Sequence, residues 1–279
     1  MISQGHRFSV MHRFFIPPEW LREDEVTIRG RQAHQIGHVL RLKRGDRIIV
    51  LDNAGYEYET ALLEVTRDRV RGRIEGRRRC TGEPALEVTL YQALLKGDGI
   101  ETVLQKCTEI GVSAFVLFEG GRCVARPPRA LRLERWRAIL TEAAEQSGRG
   151  RVPGLEGVIT FTEACERVSG LAIMPWEGET KRGIREVLQS AGFPFSIAAS
   201  GEVKGSPGKV AQPTLPRKLS IFIGPEGGFT GEEVEFARGK GITPVSLGKR
   251  ILRAETAGLV TAALALYQWG EMEAIPKYV

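Results

Sequence analysis

The chain has 279 residues, 42% hydrophobic and 27% charged, a globular composition with room for two cored domains that excludes a wholly disordered or fibrous chain. Its net charge is +6; residues 1–82 carry 16 basic against 11 acidic residues, whereas residues 83–279 carry 24 against 23. Nearly all the excess lies in the first third, as expected of a part that grips a polyanion. The longest uncharged apolar stretch, 256–270, is 15 residues, too short to span a bilayer. Cys80, Cys107, Cys123 and Cys165 are scattered without CxxC spacing, and no apolar leader core opens the chain, which points to a reducing cytoplasm and no cysteine metal site.

Residues 1–10 carry no pattern and read as an extension; a second methionine then opens Met11-His-Arg-Phe-Phe. Residues 11–82 read as a small β-rich module, with strands over 13–16, 47–51, 58–66 and 69–74 and a helix over 32–42. In the last strand Arg69, Arg71 and Arg73 alternate with Val70, Gly72 and Ile74, so period-two geometry puts three guanidinium groups on one face, extended by Arg77, Arg78 and Arg79. Such a strip is either a solvated edge or a nucleic-acid contact. His34 and His38, four apart on a helix, lack a third ligand and read as surface or RNA-facing rather than zinc-binding. Thr81-Gly82-Glu83-Pro84 reads as a linker.

After Pro84 strands and helices alternate. A strand over 86–95 is followed by a helical face of Ile100, Val103, Leu104, Cys107 and Ile110, stopped by Gly111. A strand over 114–118 and a helix lined by Leu133, Trp136, Leu140 and Ala144 come next; strands over 171–174 and 219–223 flank a helix through Ile184, Val187 and Leu188. This alternation predicts an α/β domain over 85–279 with a mainly parallel sheet, carrying a Pro/Gly/Ser/Lys-rich surface insertion at 202–217. Gly97-Asp98-Gly99 opens a helix as dinucleotide-binding turns do, but Thr102 stands at the third glycine position, which favours a plain tight turn.

The C-terminal part carries the chemistry. Strand 219–223 runs into Gly224-Pro225-Glu226-Gly227-Gly228-Phe229, after which Thr230 and Glu233 form a capping box and Phe229 and Val234 a hydrophobic staple. Strand 243–247 runs into Gly248-Lys249-Arg250-Ile251-Leu252-Arg253-Ala254-Glu255, with Thr256 expected to cap the following apolar helix. Two such loops at strand carboxyl ends form the place where an α/β domain binds its ligand.

Residues 223–264 resemble the C-terminal signature of the RsmE family, ribosomal RNA uridine-N3 methyltransferases of the SPOUT superfamily. Met11-His-Arg-Phe-Phe, His38-Val-Leu-Arg41, Lys96-Gly-Asp98, Gln105-Lys106, Arg135-Trp136, Glu142-Ala-Ala-Glu-Gln146 and Arg149 resemble that family's pattern in the same order, from Met11 to the C-terminal helix. Ile110, where leucine is usual, and the insertion depart from it. The resemblance implies a PUA-like β-barrel domain over 11–82 and an α/β trefoil-knot (SPOUT) methyltransferase domain over 85–279, working as a homodimer. It implies S-adenosyl-L-methionine as cofactor, no metal, and methylation of 16S ribosomal RNA at N3 of a uridine, uridine 1498 near the decoding site, in an assembled small subunit.

For the cofactor it implies Met174, Glu177, Ile223, Gly224, Pro225, Glu226, Gly227, Gly228, Leu247, Gly248, Ile251, Leu252 and Arg253. RNA contact falls to Arg13, Arg41, Arg69, Arg71, Arg73, Lys96, Gln146 and Arg149. Methylating N3 of uridine requires loss of its proton, so Arg253 is expected to stabilise the uridine anion and Glu226 or Glu255 to accept the proton. The alternatives are an RNA-binding ribosome assembly factor with an inactive knot, and a SPOUT methyltransferase acting at another RNA position.

Overall fold

The computed structural model describes residues 11–192 and 218–273, so the extension 1–10 and the insertion 202–217 lie outside the described residues. The chain divides into two compact units, one of Met1–Glu83 with Thr141–Val152, the other of Pro84–Leu140 with Pro153–Val279.

The first unit contains β1 (Arg13–Phe15), β2 (Leu21–Arg22), β3 (Glu25–Arg29), α1 (Gly30–His34), β4 (Arg47–Leu51), β5 (Tyr56–Val65) and β6 (Arg69–Arg79). Its strands form one sheet in the order β1-β4-β5-β6-β3-β2, antiparallel except for β1 with β4. Strand alternation sends Phe14, Val26, Ile28, Ile48, Val50, Leu62 and Val70 to one buried cluster, closed by Ala33 and Ile36. The helix expected over 32–42 is split. After α1 the backbone widens into a π-helical turn, Gln35–Val39, where the Leu40 N–H donates to Gln35 O at 2.9 Å, and Arg41 then turns left-handed with φ 56°. Gly37 in that turn lies against Val65, whose Cγ1 would stand 3.1 Å from an added Cβ. β2 and β3, of two and five residues, are too short to show a period in the sequence, and β6 continues past the expected 69–74 to Arg79.

The second unit runs β7 (Glu87–Ala93), α2 (Gly99–Ile110), β8 (Ala114–Glu119), α3 (Ala130–Gln146), β9 (Gly154–Thr160), α4 (Phe161–Glu166), β10 (Leu171–Pro175), α5 (Ile184–Ser190), β11 (Lys218–Ile223), α6 (Gly231–Gly239), β12 (Thr243–Val245) and α7 (Ala254–Trp269). The last residues of α3 belong to the first unit. The sheet order is β12-β10-β11-β7-β8-β9 and every neighbouring pair is parallel. All strand carboxyl ends therefore share one edge. β8 and β11 are buried over almost their whole length, which is why they read as unbroken apolar runs. Above them Tyr91, Phe118, Phe161, Phe222 and Phe229 pack together, with the Tyr91 and Phe222 rings stacked 4.4 Å apart.

The Thr230/Glu233 capping box forms as expected, and a second box, Thr160 with Glu163, opens α4. Thr256 is not the cap of α7. The helix starts at Ala254 with Arg253 as its N-cap residue, because the Arg253 carbonyl already accepts the N–H groups of Thr256 (2.9 Å) and Ala257 (2.8 Å).

Candidate active site

The loops leaving β10, β11 and β12 enclose a cleft of about 490 Å³. A second hollow of about 390 Å³ adjoins it across Pro175, Glu177, Ile251 and Leu252 and takes in Trp176 and Ser246. The wall between β11 and α6 is a tight turn in which the Gly228 N–H donates to Pro225 O at 2.9 Å. Gly228 has φ 68°, and a Cβ there would come within 2.7 Å of Glu177 Oε1; one on Gly224 would stand 3.2 Å from the Phe229 ring. These two positions keep the backbone bare where it borders the cleft.

The apex of the turn is tied down on both sides. Glu226 Oε1 accepts the Lys96 N–H, from the loop after β7, at 2.8 Å. The Gly227 carbonyl accepts Arg122 Nη1, from the loop after β8, at 2.8 Å. Glu233 adds a third tie by accepting the Gly121 N–H at 2.7 Å. Gly227 has its missing side chain aimed at Arg122, whose Cβ would lie 3.2 Å from an added Cβ, so its bareness serves the turn's brace.

Of the residues expected around the cofactor, Glu177, Ile223, Gly224, Pro225, Glu226, Gly227, Gly228, Ile251, Leu252 and Arg253 border the first cleft, and Leu247 and Gly248 the second. Met174 does not. It is fully buried in the aromatic core, because strand alternation turns the side chain into the layer beneath the loops. Arg253 is exposed, and neither its guanidinium nor the Glu255 carboxylate has a hydrogen-bond partner among the described residues. Arg122 carries a signal in the sequence only as part of the run of arginines at 122, 126 and 129 between the end of β8 and α3.

The residues expected at RNA fare unevenly. Arg41, Lys96 and Gln146 are exposed. Arg149 is buried to 2% exposure; Nη2 pairs with Glu83 Oε2 at 2.9 Å, while Glu83 Oε1 accepts the Gly150 and Arg151 N–H groups. Arg13 is likewise turned inward onto Glu57 at 2.6 Å. Both are structural, since an RNA phosphate cannot reach a guanidinium already enclosed with its carboxylate. Burial pushes Glu57 up, but hydrogen bonds from Arg78 and Arg13 outweigh it and hold its carboxyl below the ordinary value. Arg69, Arg71 and Arg73 are exposed or half-buried, but each meets a carboxylate, Glu64 at 3.6 Å, Glu25 at 2.9 Å and Glu75 at 3.4 Å respectively. His34 and His38 stack with ring centroids 4.7 Å apart, and no group of three metal-ligating side chains occurs among the described residues.

The domain that sets a glycine turn across a cleft from an Arg-bearing loop, at the carboxyl edge of a parallel sheet, is an RNA methyltransferase domain: residues 82–266 match that family, and residues 28–75 match the RNA methyltransferase PUA domain. Ribosomal RNA small subunit methyltransferase E of Synechocystis sp. is 35% identical over 258 residues, 92% of this chain and 77% of the relative. The protein of the same name from Bacillus subtilis is 34% identical over 92% of this chain and 97% of its own length. The crystal structure of a ribosomal RNA small subunit methyltransferase E from Neisseria gonorrhoeae bound to S-adenosyl methionine superposes with a TM-score of 0.75 at 29% identity, covering 94% of this chain and all of that one. The chain belongs to the ribosomal RNA small subunit methyltransferase E family.

Proposed function

We propose that this protein uses S-adenosyl-L-methionine to methylate N3 of one uridine in 16S ribosomal RNA, uridine 1498 by family resemblance. The reading rests above all on the cleft between the glycine turn and residues 251–255, in a chain whose relatives are named for small-subunit RNA methylation. The cofactor suits the residues present: bare backbone at Gly224 and Gly228 admits close approach, and Ile223, Ile251 and Leu252 offer apolar surface for a planar base. When bound, it supplies an electrophilic methyl group.

The chain's own side chains deal with the uridine. Arg253 places positive charge against the uracil oxygen that becomes negative as N3 loses its proton, and Glu255 accepts that proton. Glu226 braces the turn through Lys96, which makes Glu255 the acceptor of choice between the two. The substrate base must leave its stack to enter the cleft.

The working form is a homodimer of knotted subunits acting in the cytoplasm on the small ribosomal subunit. Support for self-association comes from α7, which leaves Leu264 and Tyr267 exposed about one turn apart, and from Ile251, 89% exposed at the cleft rim.

Mass spectrometry of small-subunit RNA nucleosides, from cells with and without the gene, tests the reading. Loss of 3-methyluridine at one position is expected; unchanged 3-methyluridine with loss of a different modified nucleoside would overturn the assignment of the target atom.

A further inference from the structure

The arginines of β6 do not share one face. In the pairing of β5 with β6, Thr60 stands opposite Ile74 but Glu59 opposite Gly76, leaving Glu75 as an extra residue. Beyond this bulge the alternation is inverted. Arg77 and Arg79 therefore stand directly opposite Tyr58 and Tyr56, on the face away from Arg69, Arg71 and Arg73.

Charge separates the two groups further. Arg69, Arg71, Arg73 and Arg78 are all paired with glutamates, whereas Arg77 and Arg79 have no carboxylate partner among the described residues. They are held instead by the tyrosines. The Arg77 guanidinium carbon lies 4.0 Å from the Tyr56 ring centroid and 5.6 Å from that of Tyr58, and Arg79 lies 5.6 Å from Tyr56. The platform beneath is fixed, since the Tyr58 hydroxyl donates to Asp52 Oδ2 at 3.1 Å and Asp52 Oδ1 accepts the Tyr56 N–H at 3.1 Å. Both arginines remain exposed.

We propose that this ladder of Tyr56, Tyr58, Arg77 and Arg79 is where the first unit takes hold of a single-stranded segment of its RNA. The inference deepens the proposed function and rests on its claim that the substrate is RNA. A guanidinium stacked on a ring keeps its edge N–H groups for phosphate oxygens, and its other flat face for a base. A guanidinium already paired with glutamate must give up that partner to do either. Among the arginines of β6, the ladder, and not the strip of Arg69, Arg71 and Arg73, therefore carries the charge that no glutamate offsets.

Fluorescence anisotropy with a labelled uridine homopolymer and with a small-subunit RNA fragment tests this across a range of salt. The Arg77→Ala/Arg79→Ala variant should bind both RNAs about tenfold more weakly at 0.15 M salt and lower the slope of log affinity against log salt by about 1.4, two single-strand phosphate contacts at about 0.7 each. Donor affinity should be unchanged. Arg77→Lys/Arg79→Lys should keep the salt slope but lose affinity, because charge without a planar face cannot stack. Wild-type affinity and slope in a double alanine variant with the wild-type melting temperature would overturn the proposal, as would a larger loss from replacing Arg69, Arg71 and Arg73. If the double alanine variant fails to fold, a double lysine variant with undiminished affinity for both RNAs overturns it instead. Should the wild type bind the homopolymer through the ladder yet leave small-subunit RNA unmethylated, the ladder stands and the ribosomal reading falls.

Discussion

Glu226 occupies the apex of the glycine turn, and its chemistry can be separated from its bracing by two substitutions. Its Oε1 accepts one backbone N–H, from Lys96, at 2.8 Å on an exposed loop. A hydrogen bond to a charged group contributes about 1.5–3 kcal/mol where solvent is excluded, and solvent exposure reduces this to about 1 kcal/mol. Glu226→Ala removes the acceptor and should weaken S-adenosylmethionine binding about fivefold, by loosening the turn. Glu226→Gln keeps an amide oxygen for the Lys96 N–H, so the loss should stay under about threefold. At saturating donor, the single-turnover rate should fall by no more than a few-fold in either variant. Titration calorimetry gives the first quantity and quenched-flow methyl transfer the second. If Glu226→Gln binds donor normally but transfers methyl about 10²–10⁴ times more slowly, Glu226 is the proton acceptor and the bracing argument fails.

Arg122→Ala should mimic Glu226→Ala, with about a fivefold loss of donor affinity, because it frees the other side of the same turn; calorimetry showing unchanged affinity would mean that the 2.8 Å bond to Gly227 carries nothing. Arg253→Ala should retain donor binding but slow single-turnover transfer roughly a hundredfold, with partial recovery at alkaline pH where free uridine loses its proton unaided; full activity, or loss of donor binding, would make Arg253 a structural residue. Glu145 is pushed up to about 7, burial outweighing the Phe15 N–H that donates to it at 2.9 Å. The folded chain therefore holds this proton more tightly than the unfolded one, so its contribution to stability is complete below about pH 4.5 and is lost as pH rises through about 7. Glu145→Gln should abolish that part of the decline and stabilise the protein at pH 8 by about 1–2 kcal/mol after allowance for solvent screening; urea titrations at pH 5 and pH 8 would show otherwise if the two chains kept the same pH dependence.

What the sequence displays best are elements whose own residues decide them. β11 reads as a strand because both its faces are buried, and the entry to α6 reads as a helix start because Thr230, Glu233, Phe229 and Val234 supply cap and staple locally. β9 was missed because an edge strand with Gly154, Gly157 and mostly exposed positions has no apolar period to detect. The bulge at Glu75 inverts a face without altering composition, so the alternating arginines promised a continuous strip that pairing between strands divides. Pairings remote in sequence were equally hidden: Arg149 with Glu83, Arg122 with Gly227 and Arg71 with Glu25 join residues that no local pattern connects. The loops of the cleft were legible as loops, whereas the ties that hold the glycine turn come from other strands' loops and required the sheet order.

The first unit is discontinuous in sequence, since its sheet comes from residues before Pro84 but Arg149 and Glu145, which bond Glu83 and the Phe15 backbone, come from Thr141–Val152. On the ribosome that makes it, β1 to β6 emerge complete yet must wait for the segment 84–152, roughly 3–14 s at ordinary elongation rates. During that interval Glu83 and the Phe15 N–H have no native partners, so the unit for RNA, although translated first, finishes folding only after the opening strands and helices of the catalytic unit have left the tunnel. The order of assembly is thus interleaved, and a fragment cut at Glu83 lacks the Arg149 and Glu145 partners of Glu83 and of the Phe15 N–H.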